Sequence, residues 1–415
     1  MKNISKRLFY LLVLFLPINL GKHFEFSFSY VWGRLVDYLV PTIFIQDILV
    51  FLIILFWIIE KGFPKRKHFL EAFERKEIQF LIFFIFSLFL STLSAERFIP
   101  SILFFGRILL YATLFLYIVF EVSIEKDFSR ILKMFGISVV FLGVLGIIQY
   151  IRQASVFNDY LFFGEQPYSF STWDIAKERL FGVSKVASYG TFRHPNTFGG
   201  FLAVVLVWIF SQIKHKREYI VPFLLGLGAL IFTFSYTSWL VFGVGLLLHR
   251  VFSSGNSRLK RWVVFGAFVT TSLFLLLPFF ESALPFINKH PSFYRRSNLL
   301  SAAYKIIDLY PLFGVGANNF TTLVDKFIFR GPDLRFTQPV HNIFVLISAE
   351  SGIFAFFSFL ILLYLGIKRS LKPRFFIIPL VSLIQILLLG SLDHYFYTMH
   401  QTQLLFWITL GLSFV

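Results

Sequence analysis

The chain contains no cysteine, so it can form neither disulfides nor thiolate–metal bonds, and cysteine usage says nothing of its redox compartment. Charge is scarce too. Only 15% of the 415 residues are charged, against about 25% in soluble domains. The chain has no Asp-x-Asp motif of a metal-binding nucleotide-sugar enzyme and no Gly-x-x-x-x-Gly-Lys loop for ATP. It has no internal repeat and no low-complexity segment. The charge that remains is unbalanced, 39 Lys and Arg against 22 Asp and Glu, a net +17. A nucleic-acid face gathers its basic residues on one soluble surface. Here they sit in short clusters between apolar runs, so a nucleic-acid partner is not expected.

What is abundant is apolar. Hydrophobic residues make up 57% of the chain, sixty of them Phe, and the mean hydropathy is +0.75. A soluble core of ordinary shape cannot bury so many, and lipid must be part of the solvent. A helix needs about 20 apolar residues to cross a bilayer core. About twelve segments meet that criterion, near 8–20, 39–59, 78–94, 101–120, 131–151, 196–213, 219–234, 237–249, 262–280, 341–367, 374–391 and 399–415. The first follows Lys2, Lys6 and Arg7 in the manner of a signal peptide. No small-residue cleavage site follows, since Gly21-Lys22-His23-Phe24-Glu25 comes next, and an uncleaved helix is expected. The fold class expected is all-α, a single polytopic membrane domain over 1–415.

Basic residues cluster in alternate connections: Lys61, Lys65, Arg66, Lys67, Arg75 and Lys76; then Lys126, Arg130 and Lys133; then Lys214, Lys216 and Arg217. Arg250, Arg258, Lys260 and Arg261 follow, and finally Lys368, Arg369, Lys372 and Arg374. By the positive-inside rule both termini are cytoplasmic. Two long connections, 152–195 and 281–340, fall outside. Loops of that length are functional or disordered, and their aromatic and aliphatic content argues against disorder.

The second long loop holds the densest chemical signal. Ser297 can cap a helix carrying Leu299, Leu300, Ala303, Ile306, Ile307 and Tyr310 at helical spacing, stopped by Pro311. Such a helix would lie on the membrane surface, apolar face down. Arg295 and Arg296 would stand just before its N-terminus, where free N–H groups favour an anion and guanidinium forks pair with phosphate oxygens. The same pair could serve only lipid head groups. His341 opens the tenth segment at the outer boundary, where a neutral imidazole can take a proton from a hydroxyl. A lone interfacial histidine is more often structural. Arg107 lies at membrane depth, which costs at least about 2.5 kcal/mol and implies a partner or a role. Asp47, at similar depth, is the expected structural partner. His194, His290, His341, His394 and His400 all fall outside, but their spacing matches no metal-ligand motif, so no metal is expected.

Several stretches together carry a resemblance: Arg296-Ser-Asn-Leu-Leu-Ser-Ala-Ala, Tyr310-Pro-Leu-Phe-Gly-Val-Gly-Ala-Asn-Asn-Phe, His341-Asn342 and Glu350-Ser-Gly352. The earlier run Phe192-Arg-His-Pro-Asn-Thr-Phe-Gly-Gly-Phe-Leu202 and the closing Asp393-His-Tyr-Phe through Gln403 extend it over most of the chain. This ordered set resembles the O-antigen ligase and polymerase family. The resemblance implies a membrane glycosyltransferase of the C-type superfamily, without a cofactor. It would take a glycan from a polyprenyl (undecaprenyl) diphosphate at the outer face of the bacterial inner membrane. The acceptor would be a hydroxyl on a glycan, a lipid-linked glycan or a protein. His341 matches the family's candidate base and Arg296 its diphosphate contact, with Arg295, His194, Asn196 and Asn342 as further substrate-binding candidates. One departure stands out. The family's Ser-Arg at the start of the eighth helix is here Ser235-Tyr236-Thr237-Ser238-Trp239. Arg193 or Arg107 could supply the missing contact. The rival readings are a transporter or flippase of lipid-linked sugars, which would place polar groups near the bilayer midplane in paired halves, and a protein O-glycosylating enzyme using the same donor.

Overall fold

The computed structural model describes residues 3–62, 71, 73–253, 258, 262, 266, 269, 291–328, 336–372 and 377–415. The chain is mostly helical. It runs α1 (Ile4–Phe15), α2 (Ile45–Lys61), α3 (Lys76–Leu93), α4 (Phe98–Glu121) and α5 (Ile124–Arg152). Next come α6 (Pro195–Ile213), α7 (Ile220–Phe232), α8 (Tyr236–Ser253), α9 (Pro291–Leu309) and α10 (Phe320–Phe327). The chain closes with α11 (Ile343–Ser370), α12 (Ile377–Gly390), α13 (Tyr395–Thr398) and α14 (His400–Leu412). Every expected apolar segment falls on a helix except that near 262–280, which lies outside the described residues apart from its isolated positions. Among the described residues, α3, α4, α5, α6 and α11 are long and apolar enough to cross a membrane.

Packing follows from side-chain chemistry. Helix α6 is the centre of the bundle: from Phe198 to Ile209 its side chains are buried, against α7, α8 and α12. Large apolar residues elsewhere face outward, Phe83, Phe86 and Phe89 along α3 among them. A soluble monomer rarely exposes a contiguous apolar surface of this kind, and lipid is the solvent that suits it. The protein is a multi-pass membrane protein.

The two ends of the bundle differ. At one end short polar links staple the helices: Lys6 to Asp127 at 2.8 Å, Lys61 to Glu121 at 3.0 Å, and the Ser5 hydroxyl to Glu60 at 2.6 Å. The long loops gather at the other. The Asn19 amide donates to the Phe163 carbonyl, the Thr191 hydroxyl to Pro17 O, and Arg97 to the carbonyls of Phe28 and Tyr30.

That loop end departs from an all-helical reading. Residues between α1 and α2 form β1 (Gly21–His23) and β4 (Thr42–Phe44), paired antiparallel with Gly21 opposite Phe44. Between them lies a tight hairpin of β2 (Tyr30–Val31) and β3 (Arg34–Leu35), turned at Trp32 and Gly33, both at positive φ. A third hairpin, β5 (Lys177–Leu180) with β6 (Val183–Val186), sits in the 152–195 loop.

Helix α9 corrects two expectations. It is already helical at Pro291, where the described residues resume, so Ser297 lies within the helix and Arg295 and Arg296 ride on it instead of preceding its N-terminus. Nor is its apolar face turned to lipid. Leu299, Ala302, Ala303 and Ile306 are buried in protein, where α9 packs on α10 and α11.

Candidate functional site

Two sequence motifs lock together to set the site's frame. Gly314 and Gly316 in the turn after α9 and Gly352 within α11 all adopt positive φ. A Cβ at Gly352 would strike the Leu312 carbonyl, and one at Gly314 would strike the Glu350 backbone. Glycine alone permits this approach. Helix α11 therefore breaks at Gly352, and the freed groups bond across: Val315 N donates to Ala349 O at 3.1 Å, Gly316 N to Glu350 O at 2.9 Å, and Ile353 N to Pro311 O at 2.9 Å. The Glu350 carboxyl accepts from Phe320 N at 3.1 Å. This brace ties the arginine-bearing α9 to the helix that His341 precedes.

His341 sits just ahead of Asn342, the N-cap of α11. The Asn342 side chain accepts from Phe344 N and Val345 N at 3.0 and 3.1 Å and donates to Ser391 O at 2.9 Å. It is buried and fully used. Its work is to fix the turn, and with it the ring of His341. The bond to Ser391 draws in the next loop, so Asp393 Oδ1 lies 3.2 Å from His341 Nδ1. A carboxylate can only accept. Nδ1 therefore carries the hydrogen, and Nε2 is left as the basic nitrogen.

Around this pair lies a cavity of about 260 Å³, lined also by His194, Asn196, Arg295, Arg296, Gln338 and His394. Tyr38 from the first loop and Tyr395 close it. Burial pushes the Asp393 carboxyl up, but the charge and hydrogen bond of His341, with His394 and Arg296, overcome this and hold it well below the usual carboxylate range. His394 goes the other way. Burial pushes its imidazole down to about 3, against the upward pull of Asp393. Burial lowers His194 as well. The cavity thus offers one oriented imidazole, neutral histidines around it and two guanidinium groups for an anion.

His341, Asp393 and His394 also have the donor types of a cation site, with donor atoms within 4.8 Å of one another. The Nδ1 atoms of both rings are already engaged, His341 with Asp393 and His394 with the Thr398 hydroxyl at 2.7 Å. This leaves Nε2 of each ring and the carboxylate as the donors such a cation would meet.

Residues 221–360 match the O-antigen ligase family model. The matched segment belongs to that family. No curated protein matches the chain. The match runs from α7 through about the first two-thirds of α11 and so includes Arg295, Arg296, His341, Asn342 and the glycine brace. It supports a glycosyltransferase of the O-antigen ligase or polymerase type. Asp393 and His394 lie beyond the matched residues yet line the same cavity.

Within this ligase segment, the position of the family arginine is Tyr236, whose hydroxyl donates to Glu178 at 2.9 Å on the β5 strand. The two proposed replacements are placed elsewhere. Arg193 lies against Asp37 at 3.5 Å and His23 at 3.0 Å, outside the lining of the cavity. Arg107 forms the anticipated pair with Asp47 at 3.3 Å and donates to the Thr42 carbonyl. His194 caps α6 through Nδ1, which accepts from Asn196 N at 3.1 Å, and both residues line the cavity. Sequence reasoning gave no role to Tyr38 or Gln338, and noted Asp393 and His394 without assigning them work. An Asp-His pair directly following an apolar segment, on the side of His341, was the available signal for the last two.

Proposed function

We propose that the chain transfers a glycan from a polyprenyl diphosphate to an acceptor hydroxyl, as an O-antigen ligase or polysaccharide polymerase. The observation that carries this is the His341–Asp393 pair sharing one cavity with Arg295 and Arg296. The acceptor O–H gives its proton to His341 Nε2, and its oxygen attacks the anomeric carbon. The bond from that carbon to the diphosphate oxygen breaks, and the electron pair leaves with the diphosphate. Arg296 and Arg295 stabilise the growing negative charge; one such preorganised contact is worth about 10²–10³ in rate. Asp393 acts as a positioning residue, fixing the tautomer and stabilising the imidazolium.

The wider assignment rests on the same reading. We take the protein to cross the bacterial inner membrane about twelve times, with a C-type architecture, both termini cytoplasmic and the cavity on the outer face. The alternation of basic clusters supports the orientation, and polar groups collected at one end of the bundle suit a transferase better than a transporter. The test is purified protein with a polyprenyl-diphosphate glycan and acceptor, reading product glycan and released polyprenyl diphosphate. His341→Ala should lose about 10²–10⁴ in rate, the scale of general-base catalysis, while remaining inserted. Transfer by His341→Ala at the wild-type rate would remove the base from the mechanism.

A further inference from the structure

A second cavity, of about 250 Å³, adjoins the first and shares Tyr38 with it. The partition between them is thin. The Tyr38 ring stands edge-on to His394, with centroids 5.6 Å apart at 79°, and Thr398, which lines the second cavity, holds His394 Nδ1. One side of this cavity is α4, through Leu103, Gly106 and Arg107; the facing side is Thr42, Ile43 and Asp47.

Its electrostatics differ from those of the first cavity. Arg107 is neutralised by Asp47, which also accepts from the Tyr111 hydroxyl at 2.6 Å. The other polar side chains include the Asn318 amide and the Thr398 hydroxyl. No net charge is offered, so a diphosphate gains nothing here that Arg295 and Arg296 do not already give. A bare polyprenyl chain fits no better, since it offers no acceptor to Arg107 Nε, which is buried without a partner. The rim is apolar: Ile43 is 54% and Leu103 48% exposed, on a surface suited to lipid. A further sign is Gly106. A Cβ there would meet nothing within 4 Å, yet glycine in a helix interior costs about 1 kcal/mol relative to alanine. Space is kept open at a cost to the helix.

We propose that this second cavity is the acceptor chamber, taking the uncharged, hydroxyl-bearing head of a membrane-anchored glycolipid whose alkyl part lies against Ile43 and Leu103. Tyr38 is the partition past which the acceptor hydroxyl reaches His341. The assignment rests on the transferase reading for its purpose and on the cavity's own chemistry for its ligand.

Two measurements separate these. In the first, protein in phosphatidylcholine nanodiscs is photolabelled with a dodecyl glucoside bearing a diazirine near the head, and labelled peptides are mapped. Saturable label is expected within 37–47 and 98–121, falling at least tenfold in Gly106→Leu, retained in Gly106→Ala, and not displaced by excess geranylgeranyl diphosphate. Displacement by the diphosphate would assign the chamber to the donor. Label that does not saturate, or that is unchanged in Gly106→Leu of wild-type thermal stability, would reduce it to ordinary lipid-facing surface. In the second, Gly106→Leu should raise the KM for a glycolipid acceptor at least tenfold while donor binding stays within twofold. Wild-type protein that labels as expected but transfers no glycan would overturn the transferase reading and leave the glycolipid site standing. Wild-type protein that transfers, with the acceptor KM unmoved in Gly106→Leu, would overturn the chamber alone.

Discussion

Asp393→Asn tests the centre of the site with the smallest change of shape. The carboxylate accepts twice through Oδ1, from His341 Nδ1 at 3.2 Å and from His394 N at 2.8 Å. An amide of the same size keeps the packing and, because both bonds end on one oxygen, can keep both of them through its own oxygen. What is lost is the negative charge that stabilises the imidazolium formed when Nε2 takes the proton. Replacing the carboxylate by an amide in a Ser-His-Asp triad lowers kcat by about 10⁴; with general-base catalysis worth about 10²–10⁴, we expect a fall of that range, or about 3–5 kcal/mol in barrier. The loss should fall on kcat with KM little changed, because Asp393 acts through His341. The assay is release of polyprenyl diphosphate by purified protein under saturating donor and acceptor, with donor binding measured in parallel. Asp393→Glu should recover part of the rate. Asp393→Asn with wild-type kcat and intact binding would refute the electrostatic role of Asp393.

Three further outcomes follow from the geometry. Arg296→Lys keeps the charge but loses the planar fork, and should cost at least about tenfold in kcat, more than Arg295→Ala, because Arg296 is the residue that matches the family contact. Transfer should survive EDTA, since the arginines can neutralise the leaving group; loss restored by a divalent cation would show otherwise. Stability should fall as pH drops below 6.5, because the folded state holds His394 neutral down to about 3 while the unfolded chain takes up the proton. At pH 5 this amounts to about 2 kcal/mol, read as a melting-temperature drop between pH 7.5 and pH 5 that is smaller in His394→Gln. The depressed Asp393 carboxyl acts in a separate window, removing stability only below its unfolded value near 3.8.

The helical body was legible because a membrane-spanning segment announces itself locally, by about 20 apolar residues between polar ends. His341, Arg295 and Arg296 were legible because few chemistries suit those residue types at a boundary. The partner of His341 was not. Asp393 lies 52 positions away, and only the return of the chain through α12 and the Asn342–Ser391 bond bring the two together. Tyr38 was hidden for another reason. Its loop alternates aromatic with polar residues from Phe24 to Tyr30 without any motif of known chemistry, and its backbone is held by Arg97 and Asn318, contacts that no local pattern encodes. The cap of α9 was misplaced because Ser297 is a good cap in isolation, whereas it lies inside a helix whose Leu299, Ala303 and Ile306 are buried against α11.

The reaction cavity draws on residues from Tyr38 to Met399, and this has a consequence for the order in which the molecule is made. Pro17, at the end of the first helix, is held by Thr191 and by Gln401 of the final helix. Until α14 is in place the first loop has lost one of its anchors, and until Asp393 is synthesised His341 has no partner to set its tautomer. Competence therefore comes last. On the proposed reaction, a growing or truncated chain that already carries both arginines would hold the donor without the oriented base needed to use it.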